Sequence, residues 1–266
     1  MVTGEDAATG TSTAARLAAL GPFFAADTHD AGGAQSASDA PWRPMAELLD
    51  DPDVPAARVE AVRGYLAAAG GLAPEAIPVR VAASVMHLGL VARTLSPLFA
   101  LAVMGRRPGP VSLRDLWWQP TLGSMFALSI PEGPGSPDRG HRDEDGHRSG
   151  NGDDALIPPS ALELCAMTAP FGLSPRILRG NLASALAGAR TALATAEPSL
   201  AQRARDELGR WLAQPLLADM WRITVEGRFQ RRSCCLIYQA APDRRGPVCG
   251  DCVLLRPIEP DDTAAA

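Results

Sequence analysis

A chain of 266 residues can bury one large hydrophobic core or two modest ones. Its net charge of −5, with arginine as the basic residue throughout and no lysine, is unlike the basic surface that broad nucleic-acid binding needs. We therefore do not expect nucleic acid as a partner. The fraction of hydrophobic residues, 46%, is ordinary for a globular protein.

The amino-terminal part, residues 1–40, is expected to be poorly ordered with one possible short helix. Alanine, glycine, serine and acidic residues surround a single apolar patch at Leu17–Phe24. Met1–Thr13 contains no apolar run, so we do not expect a secretory signal. A cytoplasmic, reducing location follows as an expectation, and there cysteines bind metals more often than they form disulfides.

Residues 41–130 predict a helical region that ends in a β-hairpin. A short helix is expected at Met45–Leu49, and Pro55 should begin a longer one that Gly70 and Gly71 stop. Two short strands are predicted within Val111–Ile130, on either side of a proline-containing turn.

Between these elements lies the most apolar stretch, from Pro78 to Gly105. We predict two helical pieces that break near Ser96-Pro97, because proline cannot donate a hydrogen bond inside a helix. His87 and Arg93 also interrupt the apolar run, whose uncharged pieces are shorter than the ~20 residues of a spanning helix. The stretch is therefore expected to be a buried core segment without stable membrane insertion, and His87 a hydrogen-bonded core histidine.

Residues 131–154 change composition abruptly and predict a disordered acidic loop. Glycine, proline and charged residues dominate, with almost no apolar side chain. His141 and His147 lie among the acids, but a solvated loop explains this composition without a metal.

Residues 155–266 predict helices followed by a metal-binding segment. One helix is expected at Pro159–Ala169, and a second begins after the N-cap Ser174 and reaches about Ala196. A third follows Pro198. A strand is predicted over Trp221–Phe229, and the chain is expected to continue extended over Leu236–Gln239. The predicted fold class is thus mainly α (α+β): a helical globular chain with two small β regions and a C-terminal hairpin that carries the cysteines.

Four of the five cysteines lie close together in this last segment. Cys234 and Cys235 are adjacent, thirteen residues follow, and then come Cys249 and Cys252. Thiolates select soft or borderline centres, chiefly zinc or iron-sulfur clusters. The x-x pair suits a turn that aims two sulfurs at one centre, whereas the adjacent pair favours a wider target such as a cluster. The residues favour iron-sulfur and leave zinc open, while Cys165, inside an apolar helix, is expected in the core.

The sequence around these cysteines also resembles a known family. Arg231-Arg232-Ser233-Cys234-Cys235-Leu236-Ile237-Tyr238, followed by Cys249-Gly250-Asp251-Cys252, is similar to the carboxy-terminal signature of the FhuF family of 2Fe-2S ferric siderophore reductases. A weaker resemblance covers Ser174–Asn181. The spacing between the cysteine pairs is usually shorter in that family, and the excess here lies in Ala241–Pro247, where proline, glycine and aspartate predict a turn.

The resemblance implies a 2Fe-2S cluster held by Cys234, Cys235, Cys249 and Cys252, and a cytoplasmic oxidoreductase that passes one electron to a ferric siderophore to release Fe(II). The chain has neither G-x-G-x-x-G nor a P-loop, so an electron-donor protein or another reductant is an expected partner. Two alternatives remain at this point: a zinc-stapled binding or interaction module, and an iron-sulfur redox sensor without turnover.

Arginines precede and follow the cysteines. Arg231 and Arg232 are the candidates for offsetting the negative charge of a cluster, or for holding an anionic substrate or an acidic partner. The pattern does not decide between these two arginines. It also leaves open whether His87 or Asn181 lines the site.

Overall fold

The computed structural model describes residues 11–30, 41–106, 109–122, 125–132 and 156–255. Within these ranges the protein is mainly helical with two small sheets, as predicted. The helices are α1 Thr13–Ala19, α2 Glu47–Asp50, α3 Asp53–Gly70, α4 Val79–Val103, α5 Pro159–Thr168, α6 Pro175–Ala196 and α7 Ala201–Leu212. The strands are β1 Asp27–His29, β2 Arg43–Pro44, β3 Trp117–Gln119, β4 Ala127–Pro131, β5 Trp221–Ile223 and β6 Phe229–Arg231.

Helix α4 forms the centre of the core, where it packs most extensively against α6 and also against α3, α5 and α7. The predicted break near Ser96-Pro97 is wrong, because α4 runs without interruption through Pro97. A proline inside a helix costs ~3 kcal/mol. That cost is small beside the burial of neighbouring side chains such as Leu95, Leu98 and Phe99, which are almost completely inaccessible.

Length and composition alone would allow α4 to cross a membrane, but 72% of its most apolar window is buried inside the molecule. The predicted burial of this stretch is therefore confirmed. His87 and Arg93 are buried with it. Arg93 donates hydrogen bonds to the carbonyl oxygens of Phe126 (2.8 Å) and Ala25 (2.6 Å), and so ties α4 to the segments around the larger sheet.

The larger sheet has the strand order β1-β4-β3-β2. The predicted hairpin corresponds to the antiparallel pair β3 and β4, in which Trp118 is opposite Leu128. Strand β1 pairs with β4 in parallel, and β2 pairs with β3 in antiparallel orientation. Neither strand was predicted, because two or three residues are too few to show the alternation of apolar and polar residues that indicates a strand. The buried indole of Trp118 donates a hydrogen bond to Glu47 Oε1 (2.8 Å).

The amino-terminal region contributes the expected short helix, α1, as well as β1. Residues 1–10 and 31–40 lie outside the described residues. Residues 133–154 of the predicted acidic loop, which include His141 and His147, also lie outside the described residues.

Helix α6 begins and packs as predicted. The Ser174 side chain accepts a hydrogen bond from the backbone N–H of Ile177 at its first turn. The leucines that recur on one side of this helix are all buried: Leu178, Leu182, Leu186 and Leu193. This face meets α4, and the contact between the two helices positions the residues that approach the cysteine segment.

Two predictions near the cysteines are wrong. The single strand expected over Trp221–Phe229 is an antiparallel hairpin of β5 and β6, with a turn in which Gly227 has a φ of 75°. The stretch expected to continue extended after Leu236 is instead a 3-10 turn at Ile237–Ala240. Leu236 itself is left-handed, with a φ of 69°, and its N–H points at the sulfur of Cys234. The cysteines therefore follow the hairpin in irregular backbone, where N–H groups are free to reach sulfur.

Candidate metal centre

Strand β6 brings the two cysteine pairs together. It leads directly into Cys234 and Cys235, and the backbone N–H of Arg231 donates to the carbonyl of Asp251 (3.0 Å), which lies between Cys249 and Cys252. On the same strand, the Gln230 side chain donates to the carbonyl oxygens of Cys252 (2.9 Å) and Leu255 (3.0 Å). These bonds hold the second pair beside the first across the thirteen intervening residues.

The cysteine sulfurs already have short contacts with one another and with backbone N–H groups. The Sγ atoms of Cys235 and Cys249 are 3.6 Å apart. Cys234 Sγ accepts a hydrogen bond from the N–H of Leu236 (3.2 Å), and Cys252 Sγ accepts one from Leu254 (3.4 Å). Cys235 and Cys252 are almost fully buried, whereas Cys234 and Cys249 are partly exposed.

The pKa values of these thiols depend on one another, because the thiols are joined by hydrogen bonds. Hydrogen bonds from the thiols of Cys234 and Cys249 lower the pKa of Cys235. The same hydrogen bonds, with burial, raise the pKa of Cys234 and of Cys249. A bound metal centre would replace the thiol protons and allow these cysteines to ionise.

Within the described ranges, no group of three or more His, Cys, Asp or Glu side chains converges closely enough to hold a single metal ion. This arrangement does not distinguish a zinc ion from a two-iron cluster.

The two candidate arginines have different environments. Arg231 is completely buried, and its Nη2 donates a hydrogen bond to Oδ1 of Asn181 on α6. Its positive charge is among the causes that lower the pKa of Cys235. Arg232 is exposed, and its described hydrogen bonds involve the backbone: its N–H donates to Met220 and its carbonyl accepts from the Arg176 guanidinium.

Asn181 extends the contacts of Arg231 into the helical core. Its amide Nδ2 lies 3.2 Å from the carbonyl of Ser84 and 3.3 Å from Nδ1 of His87. Because the Asn181 oxygen accepts from Arg231, its amide nitrogen is the donor to His87, and the His87 ring must accept at Nδ1. Asn181 therefore contacts a residue of the site directly, and His87 lies one hydrogen bond further away.

His87 is a buried neutral histidine, as predicted. Desolvation, with the nearby charge of Arg231, lowers the pKa of His87 to about 3. With Nδ1 as acceptor, the ring carries its proton at Nε2, which lies 3.5 Å from the sulfur of Cys165. Burial raises the pKa of Cys165 to about 12, so this cysteine is a neutral thiol apart from the other four.

Three buried hydrogen-bond groups near the cysteines have no partner among the described residues: Nε and Nη1 of Arg231, and Oγ of Ser233. Such groups are rare in folded proteins and call for an acceptor. Together with four thiols and two N–H···S contacts, a buried cation with unused donors fits a negatively charged sulfur cluster. Sequence reasoning did not single out Ser233, although it stands inside the quoted run before Cys234.

Gly180 allows helix α6 to approach this segment. A Cβ at that position would lie 1.9 Å from Oγ of Ser233 and 3.4 Å from Nη2 of Arg231. No other residue type would fit without movement of Ser233. Gly180 lies in the Ser174–Asn181 stretch that resembles the family, but nothing in the sequence indicated this close approach.

A surface cleft opens beside the second cysteine pair. Gly250, between Cys249 and Cys252, forms part of its wall, and the β5–β6 hairpin supplies Arg222, Arg228 and the highly exposed Val225. The cleft thus combines guanidinium groups with apolar surface next to the cysteine segment.

Comparisons of this chain with protein-family models, with curated proteins and with solved structures found no match.

Proposed function

We propose that this protein is a cytoplasmic ferric siderophore reductase, in which Cys234, Cys235, Cys249 and Cys252 hold a 2Fe-2S cluster. The observation that carries the proposal is the buried, incompletely paired guanidinium of Arg231, whose positive charge helps to lower the pKa of Cys235. Burying an uncompensated charge costs several kcal/mol. A dianionic cluster at the cysteines would offset that cost. The similarity to the FhuF signature supports the same assignment.

One-electron transfer is the chemistry that such a cluster supplies when bound. The chain's own groups prepare the site for it. The N–H groups of Leu236 and Leu254 donate to the ligating sulfurs of Cys234 and Cys252, and so partly neutralise their charge. Arg231 adds a full positive charge that solvent cannot screen, because its side chain is inaccessible.

The cleft at Gly250 is the proposed position of the ferric siderophore. Its wall includes Gly250, which lies between Cys249 and Cys252, so a bound complex would be close to the electron source. Arg228 forms an ion pair with Glu226 (3.9 Å), so Arg222 is the guanidinium that would attract the anionic oxygen ligands of the siderophore, and Val225 would contact its apolar parts. These oxygens are hard ligands, and one electron converts Fe(III) to the softer Fe(II), which they hold less firmly. The electron comes from a donor protein or another reductant.

The test begins with protein purified without oxygen. We expect iron and acid-labile sulfide in equal amounts, visible absorption bands that bleach on reduction, and return of the bands when a ferric hydroxamate siderophore is added. A chromogenic Fe(II) chelator should capture one Fe(II) for each reduced chain.

Each contrary result identifies an alternative. A colourless protein with stoichiometric zinc would show the zinc-stapled module. A protein with iron-sulfur bands that a ferric siderophore does not restore after reduction would show a sensor rather than a reductase.

A further inference from the structure

We propose that Arg231 and Ser233 donate hydrogen bonds to the sulfur atoms of the cysteine-bound cluster, and that this pair of residues, rather than Arg232, sets its reduction potential. This inference rests on the proposed function and assigns two positioning residues to the same site.

Arg231 and Ser233 both have buried hydrogen-bonding groups without partners. A guanidinium has five N–H donors in a rigid fork. In Arg231 only Nη2 has a partner, the Asn181 oxygen, while Nε and Nη1 are buried without one. Ser233 Oγ, on a residue only 6% exposed, is also without a partner. A buried donor without an acceptor is unfavourable, so an acceptor is expected at this place.

The position of these donors indicates which acceptor they serve. Ser233 immediately precedes Cys234, and the backbone N–H of Arg231 is bonded to the carbonyl of Asp251 between the other two cysteines. Ser233 therefore borders the first cysteine pair, and the backbone of Arg231 borders the second. Gly180 and Asn181 of α6 lie next to Nη2, and Gly180 also lies close to Oγ of Ser233. Neither residue offers an acceptor to Nε, Nη1 or Oγ, whereas a cluster held by the cysteines would supply sulfur acceptors.

The rest of the molecule holds the donors in place before any cluster binds. Asn181 is fixed in turn by Ser84 and His87 of α4. Donors that are already oriented do not have to reorganise when charge arrives. Arg231 is thus held by a buried side-chain network, whereas the exposed side chain of Arg232 extends into solvent, where its charge is screened.

The electrostatic consequence has a definite sign. Reduction adds one negative charge to the cluster, so a positive group and hydrogen-bond donors beside its sulfurs stabilise the reduced form more than the oxidised form. Removing them should make the midpoint potential more negative. A purely structural role would not predict this direction.

Four variants test the inference: Arg231→Gln, Arg231→Lys, Ser233→Ala and, as the matched control, Arg232→Gln. Iron and sulfide content is measured first, and the midpoint potential then follows from a redox titration of the visible bands. For Arg231→Gln we expect the equilibrium constant for accepting one electron to fall about tenfold, a shift of about 59 mV to more negative potential. Arg231→Lys keeps the charge and should recover part of that shift.

For Ser233→Ala we expect a smaller shift in the same direction, and for Arg232→Gln no change. If Arg231→Gln does not fold, Arg231→Lys and Ser233→Ala decide the question. Wild-type potentials in the Arg231 and Ser233 variants with full cluster content would overturn the inference and leave the reductase proposal standing. A wild-type protein that contains zinc instead of iron and sulfide would overturn both.

Discussion

Arg231, at the end of β6, donates a hydrogen bond from Nη2 to Oδ1 of Asn181 in the middle of α6, and both side chains are fully buried. Asn181 also donates to Ser84 and His87 on α4. One amide group therefore joins the two central helices to the strand that leads into the cysteines. Changes at this amide should affect the helical core and the cysteine segment together.

The Asn181 amide should contribute strongly to stability. In Asn181→Ala, Arg231 would lose its one side-chain partner while its charge stays buried, and His87 would lose a donor. We expect the free energy of unfolding to fall by about 3 kcal/mol, measured by urea titration without oxygen. The control is Gln202→Ala on the exposed surface of α7, which should change stability by less than about 0.5 kcal/mol. Equal effects of the two variants would contradict the importance assigned to the buried amide.

Two glycines of α6 should respond oppositely to alanine. Gly188 faces open space, so Gly188→Ala should stabilise the helix by about 0.5–1 kcal/mol. In Gly180→Ala the new Cβ would collide with Oγ of Ser233, so stability and cluster content should both decrease.

A double variant tests the cause of the Gly180 effect. Ser233→Gly removes both Ser233 atoms that the new Cβ would meet within 3.2 Å. Adding it to Gly180→Ala should therefore recover part of the loss, read as the coupling energy of a double-mutant cycle. Additive losses would mean that the helix and the cysteine segment are not in close contact there.

His87 should make stability depend on pH in a predictable direction. Its pKa in the folded protein is lowered to about 3, and an unfolded histidine titrates near 6.5, so the unfolded chain binds the extra proton between these values. The contribution of His87 is complete above about pH 6.5 and is lost as the pH falls towards 3, at about 1.4 kcal/mol per pH unit.

Urea titrations at pH 7.5, 6.5 and 5.5 should show this loss in the wild type and less of it in His87→Gln, which supplies hydrogen-bonding groups that do not titrate. Burial also lowers the pKa of His29, but its ring is partly exposed, so His29→Gln should remove a smaller part of the pH dependence. The same pH dependence in the wild type and in His87→Gln would show that folding does not lower the pKa of His87.

Four of the five cysteines should be required for iron and sulfide binding, and Cys165 should not be. Replacing Cys234, Cys235, Cys249 or Cys252 by serine should remove most of the bound iron and sulfide, because each contributes a ligand to the proposed cluster. Cys165→Ser should retain both, since its sulfur contacts His87 in the core instead. Iron and sulfide assays decide this, and full content in a Cys235 variant would contradict the proposed ligand set.

The sequence alone was sufficient where structure depends on nearby residues. Ser174 predicted the start of α6, since an N-cap side chain bonds within its own first turn. The leucine stripe predicted the buried face of that helix, because 3.6 residues form one turn. The helical fold class and the buried histidine followed from the same kind of pattern. The clustering of four cysteines likewise identified the candidate site without any structure.

Tertiary structure decided what depends on distant parts of the chain. Pro97 remains inside a continuous helix because packing on all sides compensates for one missing hydrogen bond, which a local rule does not include. The close approach of Gly180 to Ser233 joins residues from different elements, and no spacing in the sequence indicates it. Arg231 and Arg232 are the clearest case. Arg231 ends β6 and Arg232 follows it, and the packing of this strand on α6, which no spacing in the sequence indicates, buries the first side chain and not the second.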